Sequence, residues 1–248
     1  MTVRYQMKLA YDGTEFQGFQ RQKDVRTVQS VLETALRQLN WDGFSILAAG
    51  RTDSGVHATG QVVAFDLKWD HGCEALQRAV NAYLPPDVSS QAVCVAPAEF
   101  HPRFDATWRR YNYSIYIAEQ RQPLRDRYAW RIWPSLDLNV LNETARLLVG
   151  QHDFAAFGRP NEPNGATERI VFEALWTGSG DGMEFMVRAN AFLYHMVRRM
   201  VFSQLFVAQG RLNLTDFANG VNKAQVFKPG ISPPNGLVLS EVGYSFDK

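Results

Sequence analysis

Near the start of the chain Val3, Tyr5, Met7 and Leu9 alternate with Arg4, Gln6 and Lys8, the period-two pattern of a half-buried strand. In TVQSVLETALRQL, Val28, Val31, Leu32, Ala35, Leu36 and Leu39 recur at helical spacing behind Thr27 as N-cap. FSILAA and QVVAFDL read as strands, CEALQRAVNAYL as a helix stopped by Pro85-Pro86, and VSSQAVCV as a strand. The order β-α-β-β-α-β is that of a ferredoxin-like unit.

The order then repeats. TWRRYNYSIYI alternates as a strand, and LNVLNETARLLVG is a helix ended by Gly150. RIVFEALWTG and MEFMVRAN are strands joined by a turn at Ser179-Gly180-Asp181-Gly182. AFLYHMVRRMVFSQLFVAQG predicts a long helix ended by Gly210, LTDFANGVN a shorter one, and GLVLSEVGYSF the closing strand. The expectation is an α+β protein of two tandem ferredoxin-like halves, 1–103 and 104–248. Their mainly antiparallel sheets join side by side and leave a central cleft.

The halves differ at one place. The second closes its middle hairpin with a few turn residues, whereas the first spends about ten residues there, from Ala49 to Thr59. Surplus loop length in a compact fold is a mark of function. This loop reads AAGRTDSGVHATGQ, with a carboxylate, Asp53, among Arg51, Thr52, Ser54 and His57. Asp53-Ser54-Gly55 alone also fits an ordinary Asx turn.

Composition narrows the class. Of 248 residues, 46% are hydrophobic and 21% charged, as in globular proteins, and no apolar run is long enough to span a bilayer. The stretch MTVRYQMKLAYDG lacks the charged leader, apolar block and cleavage site of a secretory signal, so a cytoplasmic protein is expected. Cys73 and Cys94 have no metal-like spacing and are expected to be reduced thiols. The five histidines form no HExxH, and no Walker A or GxGxxG sequence occurs, so neither a metal nor a nucleotide cofactor is expected.

A net charge of +1 does not itself announce nucleic acid, but its distribution does more. From His101 to Arg131 seven arginines face three acids, and across the chain 20 arginines stand against 6 lysines. The planar guanidinium suits phosphate pairing and base stacking. In RRYNYSIY, Arg109, Tyr111 and Tyr113 share one face and Trp108, Arg110 and Asn112 the other. This suits a base-stacking surface, and equally a sheet core with wet arginines. Arg198 and Arg199 lie on a mostly apolar helix, where a cation needs a partner. A carboxylate such as Asp53 would serve and be kept ionised, unless the pair is purely structural or an arginine snorkels to the surface.

These motifs together resemble the TruA family of tRNA pseudouridine synthases. YDGTEFQGFQRQ, TVQSVLE, GRTDSGVHA, RRYNYSIY, HDFAAF, FLYHMVRRM and PPNGLVLSEVGY follow in the family's order, over nearly the whole chain. The resemblance implies isomerisation of uridine to pseudouridine in the anticodon stem-loop of tRNA, without cofactor, by a homodimer. It implies Asp53 as the catalytic residue, Tyr111 stacked on the target base, and Arg198 paired with the aspartate. It also implies Arg51 displacing the target nucleotide, and Leu237 or Leu239 as apolar floor. Arg109 and Arg110 are further expected tRNA contacts. Two positions depart from the family: Arg199 stands where Asn is usual, and Phe202 where Gly is usual. Arg199 is read as an added phosphate contact.

Two other classes compete. A non-catalytic RNA-binding module would bind tRNA and lose nothing at Asp53→Asn. A hydrolase would use Asp53 and His57 as an acid–base pair and release uracil or cleaved RNA. The combined Asp53, Arg51, Tyr111 and Arg198 set argues against the first, and the lack of a second placed carboxylate against the second.

Overall fold

The structure, a computed structural model, describes residues 1–160, 165–222 and 230–245. In chain order the elements begin with β1 (Val3–Tyr11), α1 (Val28–Arg37), β2 (Leu47–Ala48), β3 (His57–Leu67), α2 (Cys73–Tyr83) and β4 (Val88–Val95). They continue with β5 (Ala106–Ile117), β6 (Trp130–Ile132), α3 (Leu138–Leu148), β7 (Gly150–Asp153), β8 (Glu168–Ser179) and β9 (Gly182–Ala189). The last are α4 (Met196–Ala208), α5 (Leu214–Asn222) and β10 (Leu237–Tyr244). The expected closing strand ran to Phe246, which lies outside the described residues. The chain divides into two compact units: Met1–Thr107 with the stretch from Val238 on, and Trp108–Leu237.

In the first unit β1 is the central strand, antiparallel to β3 on one side and β4 on the other, and β2 pairs antiparallel with β3. This is the ferredoxin-like strand order. The alternation seen in β1 is cashed in directly: Tyr5, Met7, Leu9 and Tyr11 are buried. Thr27 caps α1 as expected, its hydroxyl accepting from Ser30 N–H while the Ser30 hydroxyl accepts from Thr27 N–H. The buried face of α1 includes Gln29 and Glu33 beside Val28, Leu32, Ala35 and Leu36. Glu33 is tolerated because its carboxylate accepts from Arg21, Gln29 and the Ile46 amide.

Two expectations need correction here. FSILAA yields only the two-residue β2. The long loop is shorter than read, because β3 begins at His57 rather than Gln61. The reason is non-local: β10, from the far end of the chain, pairs parallel with the start of β3 through Val238 with His57 and Leu239 with Ala58. That leaves Ala49–Val56 as the loop.

In the second unit β5, β9, β8 and β7 are successive antiparallel neighbours, and β6 adds parallel to β5. The expected hairpin is present, with Ser179 opposite Gly182. Helices α3 and α4 cover the core face, where the Trp176 indole N–H donates to Gln204 Oε1 at 2.9 Å. Both α3 and α4 differ from expectation. The first stops at Leu148, and Gly150 opens the unforeseen β7. The second starts at Met196, not Ala191, because His195 is left-handed (φ 65°) and Tyr194 forms a bridge to Arg159, its N–H donating at 3.0 Å. Phe192 and Leu193 keep the helical apolar spacing but sit in the lead-in.

Candidate active site

The Ala49–Val56 loop is held by β3, by the end of β1 and by the segment just after it. Gln61, fully buried on β3, donates from its side-chain amide to Gly50 C=O at 2.9 Å. The Thr52 hydroxyl meets the Tyr11 hydroxyl at 2.8 Å, and Thr52 C=O accepts from Phe19 N–H at 3.0 Å. The Gly55 N–H and the Ser54 hydroxyl donate to Phe16 C=O, and the Val56 N–H donates to Asp53 C=O. The anchored positions are thus Gly50, Thr52 and Ser54. Arg51 is exposed and Asp53 half-buried between them. Among the described residues the Arg51 side chain makes no hydrogen bond or ion pair.

The two segments approach too closely for side chains at certain points. A Cβ at Gly13 would stand 2.0 Å from Val56 O. Gly18 has φ +85°, and a Cβ there would meet Thr52 O at 3.0 Å. This explains YDGTEFQGF: its glycines let one backbone lie against the loop carrying Asp53. Burial pushes the Tyr11 phenol up to about 12, against the bonds to Thr52 and Gln61 that favour its ionised form, so it stays a neutral anchor at physiological pH.

His57, weighed as an acid–base partner of Asp53, is employed elsewhere. It is 5% exposed, its Nδ1 accepts from Gly13 N–H at 3.0 Å, and it lies 3.1 Å from Asp12 Oδ1. Leu239, in the same unit, is fully buried at the start of β10.

The second unit holds the other expected residues. Tyr111 is half-buried, and its ring meets Phe192 edge-on at 5.1 Å. Tyr113 parts from it: fully buried, it is a core residue whose hydroxyl donates to Pro233 C=O. Arg109 donates to Asn190 C=O at 2.9 Å. Arg110 and Arg188, opposite each other on β5 and β9, each lie 5.4 Å from the Trp108 ring. On α4, Arg198 Nε donates to Ser232 C=O at 2.8 Å, and Ser232 N–H donates back to Arg198 C=O at 3.2 Å. The first bond holds the guanidinium at its Nε, and the second ties the α4 backbone to the Ser232 segment. Arg199 is half-buried beside it, and Leu237 is 5% exposed.

The anchors Tyr11, Gln61, Phe192 and Ser232 had no assigned role in the sequence reading. The only signal for any of them was the glycine spacing after Tyr11. Cys73 and Cys94 form no disulfide. Among the described residues no group of three or more His, Cys, Asp or Glu could hold a metal ion, and no helix is long and apolar enough to cross a membrane.

The family profile described as tRNA pseudouridine synthase matches residues 8–105 and 144–245. The chain belongs to the tRNA pseudouridine synthase family. Relatives named tRNA pseudouridine synthase A support this along nearly the whole length. That of Neisseria meningitidis serogroup B is 40% identical over 244 residues, covering 97% of this chain and 92% of its own. That of Methylacidiphilum infernorum is 37% identical over 248 residues, covering 99% and 97%. A solved Cbf5-Nop10-Gar1 complex matches at TM-score 0.38 and 12% identity, over 81% of this chain and 44% of that one, too slight a likeness to argue from. As a tRNA pseudouridine synthase the protein is an isomerase acting on tRNA, which removes the binding-module and hydrolase readings.

Proposed function

We propose that this pseudouridine synthase acts on uridines of the tRNA anticodon stem-loop, with Asp53 as its catalytic carboxylate. The observation that carries the reading is the anchoring of Gly50, Thr52 and Ser54, which brackets Arg51 and Asp53 at alternate positions of the loop. A loop built around two alternate positions, one cationic and one anionic, suits a nucleotide with a phosphate to grip and a sugar carbon to attack.

The reaction breaks C1′–N1, turns the uracil and forms C1′–C5, after which the C5 proton leaves and N1 gains one. In this reading Asp53 attacks C1′ or removes a sugar proton, and Arg198 is its ion-pair partner. Tyr111, braced by Phe192, offers the flat face on which a released uracil can turn without losing contact. Arg51 takes the space of the displaced nucleotide, whose extraction costs a few kcal/mol. Leu237 and Leu239 supply apolar floor, and Arg109 and Arg110 contact the RNA backbone. The reading includes no cofactor, since the bond exchange involves no net redox change and needs no external energy source. The reading includes a homodimer and a cytoplasmic setting.

The test is to incubate unmodified tRNA transcript with the protein and map pseudouridines by carbodiimide adducts and primer extension. Stops confined to the anticodon stem-loop are expected. Stops elsewhere would overturn the assigned region.

A further inference from the structure

Among the described residues the Arg199 side chain has no bonding partner. Its Nε is buried and has no hydrogen-bond partner. Among the described residues its side chain makes no ion pair and no ring contact. Nothing else in α4 offsets it: the helix MVRRMVFSQLFVA holds no acid and carries both arginines in its first turn. That end of a helix disfavours cations through the macrodipole, by about 0.3–1 kcal/mol each when exposed. A guanidinium has five donors and binds anionic oxygens in a fixed fork. Its neighbour Arg198 is tied to Ser232.

The surroundings of Arg199 are built rather than loose. One turn on, Phe202 packs its ring on the Gly230 backbone, where a Cβ would come within 2.4 Å of the ring. Trp130 stacks parallel on Phe202 at 6.4 Å and Phe206 lies at 4.1 Å. These rings form an apolar shelf on the helical face that i, i+3 spacing assigns to Arg199. The shelf provides no oxygen acceptor from side chains. Among the described residues nothing supplies the missing anion.

We infer that Arg199 is a phosphate-binding residue for the tRNA backbone, on a shelf built by Phe202, Trp130 and Gly230. The inference rests on tRNA being the substrate and adds a specific contact to it. Each phosphate neutralised by a protein cation adds about 0.7–0.9 to the slope of log affinity against log salt.

The experiment measures binding of unmodified tRNA transcript across a potassium chloride series for wild type, Arg199→Gln and Arg199→Lys, with the melting temperature of each. The Gln variant is expected to give a line shallower by about 0.7–0.9, and the Lys variant a line parallel to wild type. A Gln line parallel to wild type, or a Lys line as shallow as Gln, overturns the inference. Should the Gln variant not fold, Arg199→Asn gives the same readout. Failure of the substrate reading is seen separately, as absence of pseudouridine formation by wild type.

Discussion

Replacing Tyr11 by Phe removes one oxygen from the buried underside of the Asp53 loop and nothing from its surface. The Tyr11 and Thr52 hydroxyls meet at 2.8 Å, and both residues are buried, at 4% and 7% exposure. A neutral buried hydrogen bond contributes about 1 kcal/mol net, and stranding its partner costs about 1–3 kcal/mol. Tyr11→Phe is therefore expected to destabilise the protein by about 2 kcal/mol, with Thr52→Val costing a similar amount. The double variant strands neither hydroxyl, so the cycle should show a coupling of about 1–2 kcal/mol, read from urea unfolding. Thr52 also lies between Arg51 and Asp53, so release of its anchor misplaces both. A displacement of about 1 Å at a reacting group costs on the order of 100-fold. Single-turnover release of tritium from uracil C5 should slow by about 10- to 100-fold in folded Tyr11→Phe, beyond what the stability loss explains. Zero coupling, or an undiminished rate, would refute the role of Tyr11 as the loop's positioning residue.

Further predictions are equally open to test. Gly13→Ala places a Cβ against Val56 O, a contact that must be relieved by moving backbone, and should cost at least about 2 kcal/mol in urea unfolding and most of the activity. The Tyr11 phenol is raised from 10.0 to about 12 by burial, so folding favours its neutral form. Its contribution is complete below pH 10 and is lost between pH 10 and 12, by about 2–3 kcal/mol, and Tyr11→Phe should flatten that part of the alkaline stability profile. Arg198→Lys keeps the charge but loses the planar Nε donor to Ser232, and is expected to lower the turnover rate at least tenfold in the same tritium assay while the melting temperature drops a few degrees. Phe192→Ala removes the edge contact that braces Tyr111, and should slow catalysis and lower stability by about 3 kcal/mol or less, given that Phe192 is only half-buried.

Where structure follows from local pattern, the sequence discloses it. β4 and α5 have the bounds that their apolar spacing predicts, and the Thr27 cap is legible as a residue type in a position. What was hidden depends on distant partners. β3 gains its first residues from pairing with β10. α4 loses its first turn because Tyr194 is claimed by Arg159 and His195 turns left-handed, while Phe192 and Leu193 still imitate a helix. β6 and β7 are too short for a periodicity to show. Glu33 is polar by sequence yet fully buried, since its three partners come from three separate segments. At the site, Asp53 and Arg51 were visible as chemistry in a glycine-flanked loop. The anchors that present them, Tyr11 and Gln61, look like ordinary strand residues until their side chains are placed.

The account stands most directly on whether Asp53 carries the chemistry. Unmodified tRNA transcript labelled with tritium at uracil C5 should release tritium to water with wild type and none with Asp53→Asn, while the variant stays folded and still binds the transcript. Release by Asp53→Asn at the wild-type rate would contradict the central claim and make the loop a scaffold rather than the reactive centre.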